Sequence, residues 1–245
     1  MRIALISDIH GNAAALDTVM TALTKRQVDS IICLGGVAAS GPQPCQVIER
    51  LRAIGCPVVM GNTDDWLLQP QLKDKADDFG RLMQDVELWG SQQLSSADRE
   101  YLSTFQPTIE FPLANGKMLL CYHGSPRSYR EGIVATTSED ELDQIFADHQ
   151  AAIMAGGHTH MQMYRRYKDM LLLNPGSVGL AIDRVSPFEQ IRNAAWAEYA
   201  ILSTGDGALN VEMYRIPFDL QAIIQAVLSS GMPHAEWWIS EWSST

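Results

Sequence analysis

The segment Ser7-Asp8-Ile9-His10-Gly11-Asn12 links an apolar run at residues 3–6 to a helical pattern that starts at residue 13. Side chains alternate along a strand, so an aspartate and a histidine two positions apart at its end point the same way. A carboxylate and an imidazole aimed at one spot are suitable ligands for a divalent metal. Glycine and asparagine then form a tight exit that lets the backbone approach a bound group. The segment therefore predicts a strand, a ligand-bearing loop and a helix, in that order.

The first 60 residues alternate between short apolar runs and amphipathic stretches. Apolar residues at helical spacing predict helices over residues 13–25 and 44–54. The apolar runs predict strands over residues 3–6, 30–34 and 57–60. This alternation implies right-handed crossovers and a largely parallel first sheet.

The remainder of the chain changes from helical to strand-like character. Residues 65–106 are polar and helix-leaning, which predicts a helical insertion without a core of its own. Asn115-Gly116 predicts a hairpin turn, and Ser138 starts a capping-box pattern. Further strands and a terminal helix are expected at residues 108–113, 117–122, 151–155, 161–167, 170–173, 197–203, 209–216 and 218–230, with a turn at 205–207. We therefore predict one α/β domain over residues 1–245, with two mixed sheets flanked by helices.

Composition limits the classes of partner. The chain has 245 residues, 46% of them hydrophobic, so it can bury a sizeable core. Lys and Arg number 18 against 29 Asp and Glu, which gives a net charge of −11. Nucleic-acid backbones need clustered cations, so this balance argues against a broad nucleic-acid-binding surface. A small phosphorylated ligand stays compatible, because a local cation can dominate its own site.

The four cysteines show neither CxxC pairing nor the density of a disulfide scaffold. Cys33 and Cys121 lie in apolar runs, where cysteine usually behaves as a small buried residue. The sequence starts directly with a strand and has no run as long as a membrane span, so we expect a cytoplasmic protein with no membrane partner. The Trp-rich tail at residues 237–242 is expected to pack on the body or, alternatively, to form a homodimer contact.

Four loops that follow predicted strands carry side chains able to bind a metal. They are Asp8-Ile9-His10, Gly61-Asn62-Thr63-Asp64, Tyr122-His123-Gly124-Ser125-Pro126 and Gly156-Gly157-His158-Thr159-His160. A single histidine in such a loop is more often structural, but four of the six histidines share this placement. Asp8, His10 and His160 form a two-histidine, one-carboxylate set, which suits Mn, Fe or Zn.

In their order along residues 2–179, these motifs resemble those of the calcineurin-like metallophosphoesterase family, and most closely its small phosphodiesterase-like branch. The resemblance implies a four-layer α/β/β/α sandwich and one or two divalent ions (Mn, Fe, Zn or Ni). It assigns Asp8, His10 and His160 to one ion and Asn62, His123 and His158 to the other. It also implies that Asn62 and His123 lie close to the substrate phosphoryl group.

Gly36 departs from the family pattern, in which an aspartate at this position bridges the two ions. Two dipositive ions about 3.5 Å apart repel each other by on the order of 20 kcal/mol at an effective dielectric constant near 20. A bridging carboxylate offsets part of this repulsion. We therefore expect a strong first site, which keeps the charged ligand Asp8, and a weak second site that depends on an added anion.

Four other features near these motifs have either a structural or a functional interpretation. Thr63 stands where some relatives have a histidine that protonates a leaving group. Asp64 is expected to cap backbone N–H groups or to orient a ligand. Arg127 could meet a phosphate bidentately, although a solvated loop arginine is an equal alternative. The stretch at residues 174–179 reads as a tight turn in preference to a phosphate cradle.

The resemblance implies a metal-dependent phosphoesterase in which metal-bound water attacks a small phosphodiester or phosphomonoester. The alternative is a catalytically impaired relative that binds a phosphorylated ligand or a partner protein, and Gly36 favours it. Against it, the other six ligand positions all hold suitable residue types.

Overall fold

The computed structural model describes residues 1–72, 77–113, 116–185, 190–205 and 208–242. The strands are β1 (Arg2–Ile6), β2 (Ser30–Cys33), β3 (Ile109–Pro112), β4 (Met118–Cys121), β5 (Ile153–Ala155), β6 (Met163–Tyr167), β7 (Met170–Asn174), β8 (Ile182–Val185), β9 (Gln190–Asn193), β10 (Trp196–Gly205) and β11 (Ala208–Pro217). The helices are α1 (Ala13–Arg26), α2 (Pro44–Ile54), α3 (Asn62–Leu68), α4 (Asp78–Gln93), α5 (Ser96–Ser103), α6 (Glu139–Ile145), α7 (Leu220–Ser230) and α8 (Ala235–Ser240).

Two mixed sheets form the centre of the molecule, as the sequence predicts. The first has the order β11-β10-β1-β2, in which β1 pairs parallel with β2 and antiparallel with β10. The second has the order β3-β4-β5-β7-β6 and is parallel only at its centre. A separate ribbon of β8 and β9 completes the described strands.

Period-two alternation sorts the strand side chains into layers. Ile3 and Leu5 of β1 share a buried cluster with Leu119 and Cys121 of β4, so this cluster lies between the sheets. The alternate residues of β1, Ala4 and Ile6, join a second cluster that contains buried residues of α1, α2 and α7.

The outer face of the second sheet is covered in the same way. Leu120, which alternates with the inward-facing residues of β4, packs with Leu142 and Ile145 of α6. Helices therefore lie outside both sheets, and the predicted α/β/β/α layering is confirmed.

The described part of residues 65–106, which are 65–72 and 77–106, is largely helical, as predicted, and contains most of α3 together with α4 and α5. Val86 of α4 and Leu102 of α5 are buried in the same cluster as α1 and α2. The segment therefore places α4 against the main body, where one face of the helix borders the cleft described below.

One predicted strand is wrong in extent. Residues 57–60 form only isolated bridges, from Val58 to Cys33 and from Val59 to Gln106. The segment changes partner between these two residues, which prevents a longer ladder on either side. The turns predicted at Asn115-Gly116 and at residues 205–207 include positions outside the described residues.

The tail packs on the body. Trp238 and Trp242 are buried, and the Trp238 indole donates a hydrogen bond to the Ser40 carbonyl at 2.9 Å. This packing removes the observation on which the expected homodimer contact depended. Within the described ranges, no helix has both the length and the apolar character needed to cross a bilayer.

Candidate metal centre

Asp8 and His10 converge for a different reason from the one the sequence suggests. The strand β1 ends at Ile6, and both residues follow it in left-handed backbone conformations, with φ of 54° and 48°. Such conformations are costly for residues other than glycine and persist only where the surroundings fix them. Here the backbone N–H groups of Asp8 and His10 donate to the carbonyls of Gly35 and Gly36 at 2.8 and 2.9 Å.

The stretch at residues 174–179 provides further support for this loop. The Ser177 hydroxyl and the Gly179 N–H both donate to the Asp8 carbonyl, at 2.7 and 2.9 Å. Asn174 donates to the Gly157 carbonyl at 2.8 Å, which ties the same stretch to the loop that carries His158 and His160. The stretch therefore positions two ligand-bearing loops and is more than a simple turn.

Three ligand atoms meet beside the carboxyl ends of the strands. Oδ1 of Asp8 lies 3.5 Å from Nε2 of His10 and 3.4 Å from Nε2 of His160. The two Nε2 atoms are 3.0 Å apart. All three atoms lie within 4.8 Å of one another, and Asp8 and His10 are buried.

Hydrogen bonds orient both imidazoles in this cluster. Nδ1 of His10 faces the Ala39 carbonyl at 3.1 Å, and Nδ1 of His160 faces the Leu180 carbonyl at 2.9 Å. A carbonyl accepts only, so each Nδ1 carries the proton and each Nε2 presents a lone pair in the neutral ring. Two lone pairs 3.0 Å apart need a cation or a proton between them. This arrangement of ligand and supporting carbonyl is the usual one for metal-binding histidines, so the residues fit a divalent cation.

The second oxygen of Asp8 is already engaged. Oδ2 accepts hydrogen bonds from the Ser7 hydroxyl at 2.7 Å and from the His158 N–H at 2.9 Å. These two donors fix the carboxylate plane and leave Oδ1 for the His10–His160 cluster.

Asn62, His123 and His158 form a second group beside Asp8. Nε2 of His123 lies 2.8 Å from Oδ1 of Asn62 and 3.9 Å from Oδ1 of Asp8. Nδ1 of His123 faces the Leu34 carbonyl at 2.7 Å, and the His158 ring is 5.2 Å from the His123 ring. The structure therefore brings all six predicted ligands together, but the second group has no carboxylate of its own.

Gly36 lies directly against the first ligand. Its φ is +71°, and a Cβ added there would lie 2.5 Å from Oδ1 of Asp8. A side chain at this position would therefore displace the Asp8 carboxylate. Residue 36 therefore borders the candidate metal centre, as expected, and the close approach of Asp8 is a steric reason for glycine at this position.

Asp64 confirms the predicted capping role. Its Oδ2 accepts from the N–H groups of Gly36 at 2.8 Å and Gly61 at 3.2 Å, and its Oδ1 accepts from the Val37 N–H at 2.8 Å. The fully buried carboxylate joins the loop at Gly36 to the start of α3, where Asn62 lies.

Burial and charge shift the pKa values in the cluster. Burial acts to raise the pKa of Asp8, but His160, His10 and His123 hold that pKa well below its usual range. Burial also acts to lower the pKa of His160, yet Asp8 outweighs it and the pKa lies above 6.5. For His123, burial prevails and lowers the pKa to about 4.

Metal binding should release the proton of His160. In the metal-free chain this proton stabilises the fold below pH 6.5, and the stabilisation is lost as the pH rises through the raised pKa. A cation must displace the proton, so the Mn²⁺ affinity should rise with pH above 6.5 until His160 is neutral. Calorimetry in two buffers of different ionisation enthalpy should show more protons released at pH 6.5 than at about pH 8. Equal release at both pH values would contradict this assignment.

A cleft of about 480 Å³ opens above the cluster. Its floor contains Asp8, His10, Asn62, His158 and His160. One wall is a face of α4, and the other is formed by the β8–β9 ribbon and Glu241, which directly follows α8. Sequence reasoning missed these walls, because neither the ribbon nor the placement of α4 has a motif.

Arg127 is engaged outside the cleft lining. Its guanidinium donates to Glu131 at 2.6 and 3.0 Å and to the Gln144 carbonyl at 2.8 Å. Its predicted phosphate contact therefore has no geometric support. Thr63, in contrast, lines the cleft, and its buried hydroxyl has no hydrogen-bond partner among the described residues.

Comparison with known proteins agrees with the class that the fold and site define, an α/β sandwich with side chains able to hold a metal at the ends of its strands. The family model for the calcineurin-like phosphoesterase superfamily domain matches residues 1–206. The chain belongs to this family of phosphoester hydrolases, whose members use divalent metals.

Individual relatives cover nearly the whole chain. An uncharacterized protein of Methanocaldococcus jannaschii is 25% identical, over 98% of this chain and 96% of its own length. The crystal structure of a metallophosphoesterase from Sphaerobacter thermophilus has a TM-score of 0.75 at 23% identity, covering 98% of this chain and 97% of that chain. A hypothetical protein from Pyrococcus horikoshii has a TM-score of 0.78 at 17% identity, with 98% and 96% covered. At these identities the two structures support the fold alone.

Proposed function

We propose that this chain is a metal-dependent phosphoesterase that hydrolyses a small phosphodiester or phosphomonoester. One observation carries the proposal: Oδ1 of Asp8 and Nε2 of His10 and His160 converge within 4.8 Å in a cleft of substrate size. Their histidines are fixed from behind by backbone carbonyls, so the ligand atoms are organised before a cation arrives.

In this proposal Asp8, His10 and His160 hold the stronger ion, and Asn62, His123 and His158 hold the weaker one. When bound, a Mn, Fe, Zn or Ni ion would stabilise negative charge on phosphoryl oxygens and lower the pKa of water. The chain contributes orientation. Asn62 lies at the N-terminus of α3 and lines the cleft, where its amide can donate to a phosphoryl oxygen.

A second candidate function is the binding of a phosphorylated ligand without hydrolysis. Gly36 favours this alternative, because it removes the acid that the family uses between its ions. The first cluster weighs against this alternative, because its three ligand atoms still lie within 4.8 Å of one another.

Hydrolysis of bis(4-nitrophenyl) phosphate with added Mn²⁺ separates the two candidates. We expect turnover to require Mn²⁺. His160→Ala should reduce the turnover by more than about 100-fold, because even residues that only hydrogen-bond to a metal ligand cost up to about 100-fold when mutated. Turnover only in Gly36→Asp would locate a defect at residue 36. No turnover in the unmodified chain would favour the binding protein; an inactive Gly36→Asp would add nothing to that result, because a side chain at residue 36 also displaces the Asp8 carboxylate.

A further inference from the structure

We propose that the cleft selects a phosphodiester with an aromatic ester group, held against α4, and disfavours substrates with further negative charge. The proposal rests on the proposed function, because it assigns the substrate class of the same site. Two features of the cleft walls carry it: an apolar helix face, and an arginine whose guanidinium already donates to backbone carbonyls.

The wall formed by α4 is apolar nearest its N-terminus. Phe79 and Met83 lie four residues apart, so they share one face of the helix, and both line the cleft. Leu180 and Ile182 line the cleft from another segment of the chain. The cleft therefore offers carbon surface on two sides, in addition to its polar floor.

Phe79 is the main candidate for contact with a ring. Its side chain is 58% exposed, which is unusual for a phenylalanine beside a buried ligand cluster. Its ring has one aromatic neighbour, Trp237 of α8, in an edge-to-face contact at 5.6 Å. The contact holds one side of the ring, and the exposed side can accept a substrate ring at little entropic cost.

The charges of the cleft argue for a substrate with a single negative charge. Arg192 is the one Lys or Arg side chain among the described lining residues, and it donates to the carbonyls of Ser240 and Trp242. Glu87 and Glu241 also line the cleft. A second phosphate would therefore meet two carboxylates and a cation that already has partners.

The wall charges favour a neutral second ester group over a second charged group, whereas the phosphoryl group itself would face the ion at the floor. A phosphodiester meets this condition, because it carries one negative charge at neutral pH and its ester groups are neutral. The Asn62 amide, which also lines the cleft, is a neutral donor for one phosphoryl oxygen. The wall thus matches a monoanionic phosphoryl group with a flat apolar substituent.

Two phosphinates test the aromatic preference without any hydrolysis. Diphenylphosphinate and dimethylphosphinate carry the same charge and the same two oxygens, and neither has an ester bond to cleave. We expect the Mn²⁺-loaded chain to bind the diphenyl probe more tightly by calorimetry. Phe79→Ala should weaken that binding by about tenfold and change dimethyl binding by less than about twofold, because it removes only a ring contact.

The control is Leu228→Ala, which removes an apolar side chain of equal exposure, 58%, from α7 outside the cleft lining. Phe79→Leu keeps an apolar side chain and guards against loss of the α8 contact, so it should retain part of the diphenyl preference. Equal affinities for the two probes in the unmodified chain would overturn the proposal, as would a preference unchanged in both Phe79 variants.

Hydrolysis assays distinguish failure of this inference from failure of the proposed function. Turnover of bis(4-nitrophenyl) phosphate together with equal phosphinate affinities would overturn the aromatic subsite alone. A Phe79-dependent preference without turnover of any ester would support the subsite and count against hydrolysis. Faster turnover of 4-nitrophenyl phosphate than of the diester would overturn the charge preference.

Discussion

Asp8→Asn should lower the affinity for Mn²⁺ by about 1000-fold and abolish hydrolysis at limiting metal. Two unit charges about 4 Å apart attract each other by about 4 kcal/mol at an effective dielectric constant of 20, which corresponds to about 1000-fold. Mn²⁺ carries two unit charges, so a loss of this size is the lower end of the expected range. The amide cannot replace both oxygens. One oxygen accepts from Ser7 and His158, and the other faces His10 and His160. The measurement is a calorimetric Mn²⁺ titration of the metal-free variant.

Asp17→Asn provides the matched control, because it makes the same chemical change at an exposed ion pair with Arg50. Its Mn²⁺ affinity should equal that of the unmodified chain. If Asp8→Asn binds Mn²⁺ as tightly as the control, the carboxylate is not a ligand and the first site is wrongly assigned.

Asp64→Ala should destabilise the fold by at least about 3 kcal/mol, because three buried N–H groups would each lose a partner at about 1 kcal/mol or more. Those groups belong to Gly36, Val37 and Gly61. The loss should also loosen the ligand loop, since the carbonyls of Gly36 and Val37 hold the N–H groups of His10 and Gly11. Urea unfolding of the metal-free protein measures the change in free energy.

Asp65→Ala is the control for Asp64→Ala, because it removes a neighbouring carboxylate of the same helix. Asp65 is exposed, so Asp65→Ala should lose well under about 1 kcal/mol, the typical range for a surface charge in the first turn of a helix. If the two variants lose similar free energies of unfolding, the three buried hydrogen bonds of Asp64 do not stabilise the fold as proposed.

Much of the site could be predicted from sequence because its ligands follow strands. Ligand-bearing loops were expected at the carboxyl ends of strands. His10 and His160 do converge there, although the strands before them, β1 and β5, belong to different sheets. The capping role of Asp64 followed from its place at the start of a helix. The layers followed from alternation, since a one-residue shift in a strand would expose its apolar side chains.

The local geometry could not be predicted in the same way. Strand alternation gave the correct convergence of Asp8 and His10 but the wrong cause, because both residues adopt positive φ after β1 has ended. No pattern in the sequence indicates that three neighbouring loops will fix such conformations. The resemblance placed residue 36 beside the metal centre, but it did not predict that a side chain there would overlap the Asp8 carboxylate, since this overlap depends on how two loops pack.

The cleft walls were the largest omission. Phe79 and Met83 read as ordinary apolar positions of a helix, and only tertiary packing places them opposite the ligand cluster. Arg127 shows the reverse case. Its position after His123 allowed either a phosphate contact or a solvated loop arginine, and the guanidinium instead pairs with Glu131, four residues later.

The most direct test of the account is an anomalous difference map from crystals grown without phosphate or other multivalent anions and soaked in Mn²⁺. We predict one strong peak in contact with Oδ1 of Asp8 and Nε2 of His10 and His160, and a much weaker peak or none between Asn62, His123 and His158. Two peaks of equal strength would contradict the consequence assigned to Gly36. The absence of a peak at the Asp8 cluster would contradict the metal centre itself.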